Sequence, residues 1–136
     1  MNKTHVFRLM PGNDLKKAIE TIVREKGILA GWIACGVGSL ADYTIRFANQ
    51  REGTKGKGHF EIVSLTGTVS VDGCHIHISI SDERGQTIGG HLLEGNHVYT
   101  TAEIVIQESG DLIFSREMDS TTGWKELQIK RRVDNV

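Results

Sequence analysis

The chain has little proline, cysteine or aromatic content: one proline and two cysteines in 136 residues, with aromatics at 6%. Two cysteines, Cys35 and Cys74, make no disulfide framework, so a reducing compartment is expected and both read as small packing residues. A single proline beside 16 glycines excludes a proline-rich linker. The glycines fall at turns and inside strand-like segments, where they mark bulges and close backbone approaches. No stretch approaches the roughly 20 apolar residues of a membrane span. Residues 1–17 hold no apolar signal core, which predicts a cytoplasmic protein. Excess charge is also missing. The formal net charge is -1 and the pI is near 6.6. A domain that holds DNA by bulk electrostatics usually has a pI above about 9.

Hydrophobic residues at 38% and charged residues at 24% fit one folded domain, read here as residues 1–136. His5–Met10 reads as a short strand, turned by Pro11 and Gly12. Leu15, Ala18, Ile19, Ile22 and Val23 share one face at helical spacing, which predicts a helix over Asp14–Lys26. Gly27 follows as its left-handed cap. The remainder reads as β. Leu29–Gly36 is expected to end in a turn at Gly36–Ser39, followed by a strand over Asp42–Asn49. Gln50–Gly58 reads as an exposed loop. His59–Val71 changes apolar phase between Ile62 and Val63, which predicts a β-bulge. After the Asp72-Gly73 turn, Cys74–Asp82 alternates, with Ile76, Ile78 and Ile80 on one face and His75, His77 and Ser79 on the other. Gly89–Leu92 reads as irregular, His97–Glu108 and Leu112–Met118 as a hairpin pair, and Trp124–Arg131 as a last strand. The fold class is α+β, a mostly antiparallel sheet packed with one or two helices.

His75 and His77 are the sharpest chemical feature. Two residues apart on a strand, their Cβ atoms lie about 6–7 Å apart on one face. Imidazoles can converge from there on one ion. His91, after two glycines, is a candidate third ligand. Three neutral histidines leave a fourth position open, the pattern of reactive zinc sites. Such a site polarises a carbonyl or lowers the pKa of bound water. Solvated polar residues on an amphipathic strand give the same short pattern, so the motif alone leaves both readings open. Glu61 and Glu103 are candidate acids or bases, and His97 is an outside candidate ligand. Gly36-Val37-Gly38-Ser39 is neither a nucleophile elbow nor a phosphate loop.

Taken in order, Arg8–Leu15, Gly36–Leu40, Gly58–Gly67, His75-Ile76-His77, Gly89–Leu92 and Thr101-Ala102-Glu103 resemble the plants-and-prokaryotes-conserved (PPC) domain over almost the whole chain. The resemblance implies an antiparallel sheet with a helix or two, an acetolactate-decarboxylase-like topology and a homotrimer. It also implies that His75, His77 and His91 match a histidine trio that looks like a zinc site. DNA is implied as a partner by the family label. The plant members, however, carry a separate Arg-Gly-Arg-Pro hook, and no such segment occurs here. His59 and Val63 also depart from a plant partner-contact segment, Gly-Arg-Phe-Glu-Ile-Leu. Two functions follow as expectations: a trimeric assembly module tied to transcription, or a zinc-dependent small-molecule enzyme (lyase or hydrolase) or ligand-binding protein.

Overall fold

Residues 1–133 are described by a computed structural model of the chain. Helix α1 spans Leu15–Lys26. Asp14 caps it by accepting from the Lys17 backbone N–H at 3.1 Å, and Gly27 ends it at φ 63°. Leu15, Ile19 and Val23 are fully buried against the sheet, so the apolar stripe read from the sequence is the packed face.

Six strands form the main sheet: β1 (Lys3–Leu9), β2 (Gly31–Arg46), β3 (Thr54–Ser70), β4 (Gly73–Ser81), β5 (Thr87–Leu92) and β6 (Val98–Glu108). Their order is β1-β6-β2-β3-β4-β5, and every pairing is antiparallel. The far end of β2 also pairs with β5, through Ile45↔Leu92 and Arg46↔His91. Strands β2 to β5 therefore close on themselves. The inward residues Ile45, Ile78, Ile80 and Leu92 are buried within this closure, and Ile104 and Ile106 of β6 extend the core. A separate hairpin, β7 (Leu112–Asp119) with β8 (Trp124–Arg131), stands outside the sheet. It is tied down by Phe114 N–H donating to Leu29 O at 2.9 Å and Arg116 N–H donating to Asp72 Oδ2 at 2.7 Å. The class is α+β, with one helix among the described residues.

Several expected boundaries shift. The expected turn at Gly36–Ser39 is absent, because β2 runs through it with bulges at Ile33/Cys35 and Gly38/Leu40. The glycines permit close strand approach there: a Cβ on Gly38 would lie 2.1 Å from Thr101 O. The expected loop Gln50–Gly58 is half strand, since Thr54–Gly58 open β3 opposite Asp42–Ile45. The expected pairing of His97–Glu108 with Leu112–Met118 is wrong: β6 pairs with β1 and β2, and β7 turns away to β8. Gly89–Leu92 is regular strand, not irregular. Cys35 is exposed rather than packed inside, whereas Cys74 is partly buried, which pushes its thiol up. The bulge on β3 is present between Ile62 and Ser64.

Candidate metal centre

Strand alternation supplies the first two side chains of the site. Ile76, Ile78 and Ile80 turn inward and are buried, so His75 and His77 must leave the opposite, exposed face. Register supplies the third: His91 on β5 lies directly across from His77. Gly89 and Gly90 allow that approach. A Cβ on Gly89 would meet Ile78 O at 2.7 Å, and one on Gly90 would meet Arg46 O at 2.5 Å.

The three imidazoles converge. One ligand nitrogen from each lies within 4.8 Å of the other two, and His75 Nε2 is 3.1 Å from His77 Nε2. Tetrahedral Zn–N bonds of about 2.0–2.1 Å place ligand nitrogens about 3.3 Å apart, so modest ring rotation fits the trio to an ion. Two of the three, His75 and His91, are held toward the neutral form. Partial burial, then the neighbouring Arg46, lowers His91 to about 4. Burial, then His77 and Arg116, lowers His75 below its ordinary value. A neutral imidazole is the form that coordinates a metal.

The two expected carboxylates are not brought to this cluster. Glu61 is exposed and pairs with Ser81, four positions along β4 from His77, or about 13 Å. Glu103 pairs with Val37, and its strand is three strand spacings from β4, about 14 Å along the sheet. The other histidines are occupied elsewhere. His97 Nδ1 lies 2.9 Å from Asp42 Oδ2, His5 Nε2 lies 2.8 Å from Glu108 Oε2, and His59 stacks edge-on against Tyr99.

The residues that do surround the cluster carry no local motif. Arg46 faces His91 across the β2–β5 pairing. The Arg116 Nη2 donates to Thr68 Oγ1 at 2.9 Å, and Thr68 pairs with His75. From β8 come Trp124, whose ring centre is 5.3 Å from the Arg46 guanidinium carbon, and Glu126. Together with His75 and His91 these line a cavity of about 430 Å³. A second hollow, of about 910 Å³, is lined by all three histidines with Arg46 and Trp124 and is bounded by Phe47–Arg51. Trp124 is a detectable sequence signal, as a large apolar residue beginning a polar strand; Arg46, Arg116 and Glu126 have none.

Residues 1–110 match the Plants and Prokaryotes Conserved (PCC) domain. The chain belongs to this family. The matched stretch of the PCC domain contains all three histidines and Arg46 but ends before the β7–β8 hairpin. A bifunctional protein GlmU of a Synechococcus strain is 43% identical over 128 residues. That match takes in 94% of this chain but only 20% of the GlmU protein, so the chain spans about a fifth of this relative's length. A hypothetical protein from Salmonella enterica has a solved structure that is 38% identical, with a TM-score of 0.95, covering 98% of this chain and 96% of that one. A metal-containing protein from Archaeoglobus fulgidus is 32% identical, with a TM-score of 0.76, covering 93% of each chain.

Proposed function

We propose that this PCC-domain protein binds one transition-metal ion, zinc, through His75, His77 and His91, and uses it to hold or transform a small molecule. The convergence of three imidazole nitrogens within 4.8 Å of one another carries the reading. An all-imidazole donor set suits zinc, and three ligands leave room for a fourth. The archaeal relative described as metal-containing supports it. When bound, the ion supplies Lewis-acid polarisation of a carbonyl or water. Glu126, in the same cavity, replaces Glu61 and Glu103 as the group placed to accept or return a proton. Lyase or hydrolase chemistry and simple ligand binding share this site, and turnover of bound ligand separates them.

The assembly belongs to the same reading. On the outer face of the sheet, Val6, Val37 and Val63 are 71%, 49% and 57% exposed. Val6 pairs with Val105, which pairs with exposed Cys35, so the apolar strip crosses three strands. A second and third copy of this chain would cover it as a homotrimer. Elemental mass spectrometry on untagged protein, purified without added metal or chelator, tests the metal centre. Near-stoichiometric zinc, lost in a His75/His77 double alanine variant, is the expected result. Full metal in that variant, or no uptake by the wild-type chain, would remove the site.

A further inference from the structure

We propose that Arg46 and Arg116 form an oxyanion subsite beside the histidines, so that the ligand of this cleft is a small organic acid held through its carboxylate. This rests on the metal-centre reading of the three histidines, toward which the bound acid extends. Two guanidinium groups enter one cavity, and neither has an ion-pair partner among the described residues. They flank the cluster on two sides: register sets Arg46 beside His91, and Thr68 holds Arg116 beside His75. One of the five N–H donors of Arg116 is spent on Thr68, and the rest of its fork is free of side-chain acceptors among the described residues.

Asp72, Glu126 and Lys125 line the same cavity, and neither carboxylate lies within ion-pair distance of either guanidinium among the described residues. Asp72 Oδ2 accepts the Arg116 backbone N–H, and Glu126 Oε1 accepts from Thr122 Oγ1 at 3.4 Å. Partly buried cations without counter-ions are costly unless a ligand supplies the anion. A guanidinium presents a planar fork that matches a carboxylate, and the Arg46 guanidinium lies over the Trp124 ring in a cation–π contact. The same indole gives a carbon skeleton a flat apolar wall.

Titration calorimetry of metal-replete protein with pyruvate, its neutral amide and inorganic phosphate tests the subsite. Pyruvate is expected to bind at least tenfold tighter than the amide. Arg46→Gln and Arg116→Gln are each expected to weaken pyruvate tenfold or more while metal content stays at the wild-type level. Arg46→Lys, which keeps the charge, should recover part of that loss. Equal binding of acid and amide, no pyruvate binding by metal-replete protein, or unchanged affinity in both glutamine variants would overturn the subsite. Phosphate binding as tightly as pyruvate would overturn the assignment to an organic acid. Failure to take up metal sinks the parent reading, whereas a metal-replete protein with no preference for the acid sinks only this one.

Discussion

Replacing His77 with alanine separates a metal ligand from a decorative surface histidine. His77 is exposed and its strand neighbours Ile76 and Ile78 carry the packing, so the apo variant should lie within about 0.5 kcal/mol of wild type. A metal held by this trio would bind only the folded arrangement, because the three donors come from two strands brought together by β4–β5 pairing. At a free metal concentration one hundred times Kd, linkage stabilises the fold by about 2.7 kcal/mol. For a chain of this length that is an upward Tm shift of roughly 10 °C. Removing one of three ligands should weaken binding by at least the roughly 100-fold seen for loss of second-shell support. At the same metal concentration the stabilisation then falls to about 0.4 kcal/mol, a shift of roughly 2 °C or less. Calorimetric or dye-monitored melting, with and without added zinc, reads both quantities. A full zinc shift in His77→Ala would refute the ligand assignment. A fall of many degrees in the apo variant would show instead that His77 is a packing residue.

Other consequences of the fold are equally exposed to measurement. Asn96 is fully buried; its side chain accepts from the Thr44 N–H and donates to Thr44 O and Leu93 O. Asn96→Ala should therefore cost about 3 kcal/mol in chemical denaturation, and a loss under 1 kcal/mol would contradict these bonds. Gly38→Ala should destabilise by about 2 kcal/mol or more, because its Cβ meets backbone at Thr101 and Ala102 rather than a movable side chain; unchanged melting would show that β2 and β6 lie further apart. Val37→Asp with Val63→Asp should shift sedimentation from trimer toward monomer, and a wild-type chain that sediments as a monomer would remove the assembly. With a net charge of -1, duplex DNA should not be retarded in a gel shift at about 150 mM salt; a stable complex there would restore DNA as a direct partner.

The parts of this protein that were legible in its sequence are those specified by local period. The helix was readable because five apolar residues repeat at helical spacing between Asp14 and Gly27. The outward histidine pair was readable because three isoleucines alternate with it. Non-local pairing was not legible. Nothing near Arg46 announces that the end of β2 will meet β5, so its place beside His91 could not be foreseen. The segment Ser109-Gly110-Asp111 looks like a hairpin turn. Yet the Ser109 N–H bonds to Ala30 O and the Phe114 N–H to Leu29 O, which carries β7 away from β6. Glu61 and Glu103 misled for a related reason: position on a strand says which face a carboxylate takes, not which neighbours the sheet order brings to it.

The β7–β8 hairpin is held to the rest of the fold by a few hydrogen bonds, from Phe114 to Leu29 and from Arg116 to Asp72 and Thr68, while the histidines and Arg46 are built into the closed run of strands. The proposed metal centre thus sits on one of two parts, and the proposed acid subsite draws on both, through Arg46 on the sheet and Arg116 on the hairpin. One is a frame whose register cannot slip by a residue without turning every ligand to the wrong face. The other is an arm whose residues can be exchanged without disturbing that frame. Grafting a relative's hairpin onto this sheet should leave the metal centre in place and alter only what the cleft accepts. A lineage could acquire new ligands by rewriting fewer than two dozen positions, Leu112–Arg131, without altering the frame itself.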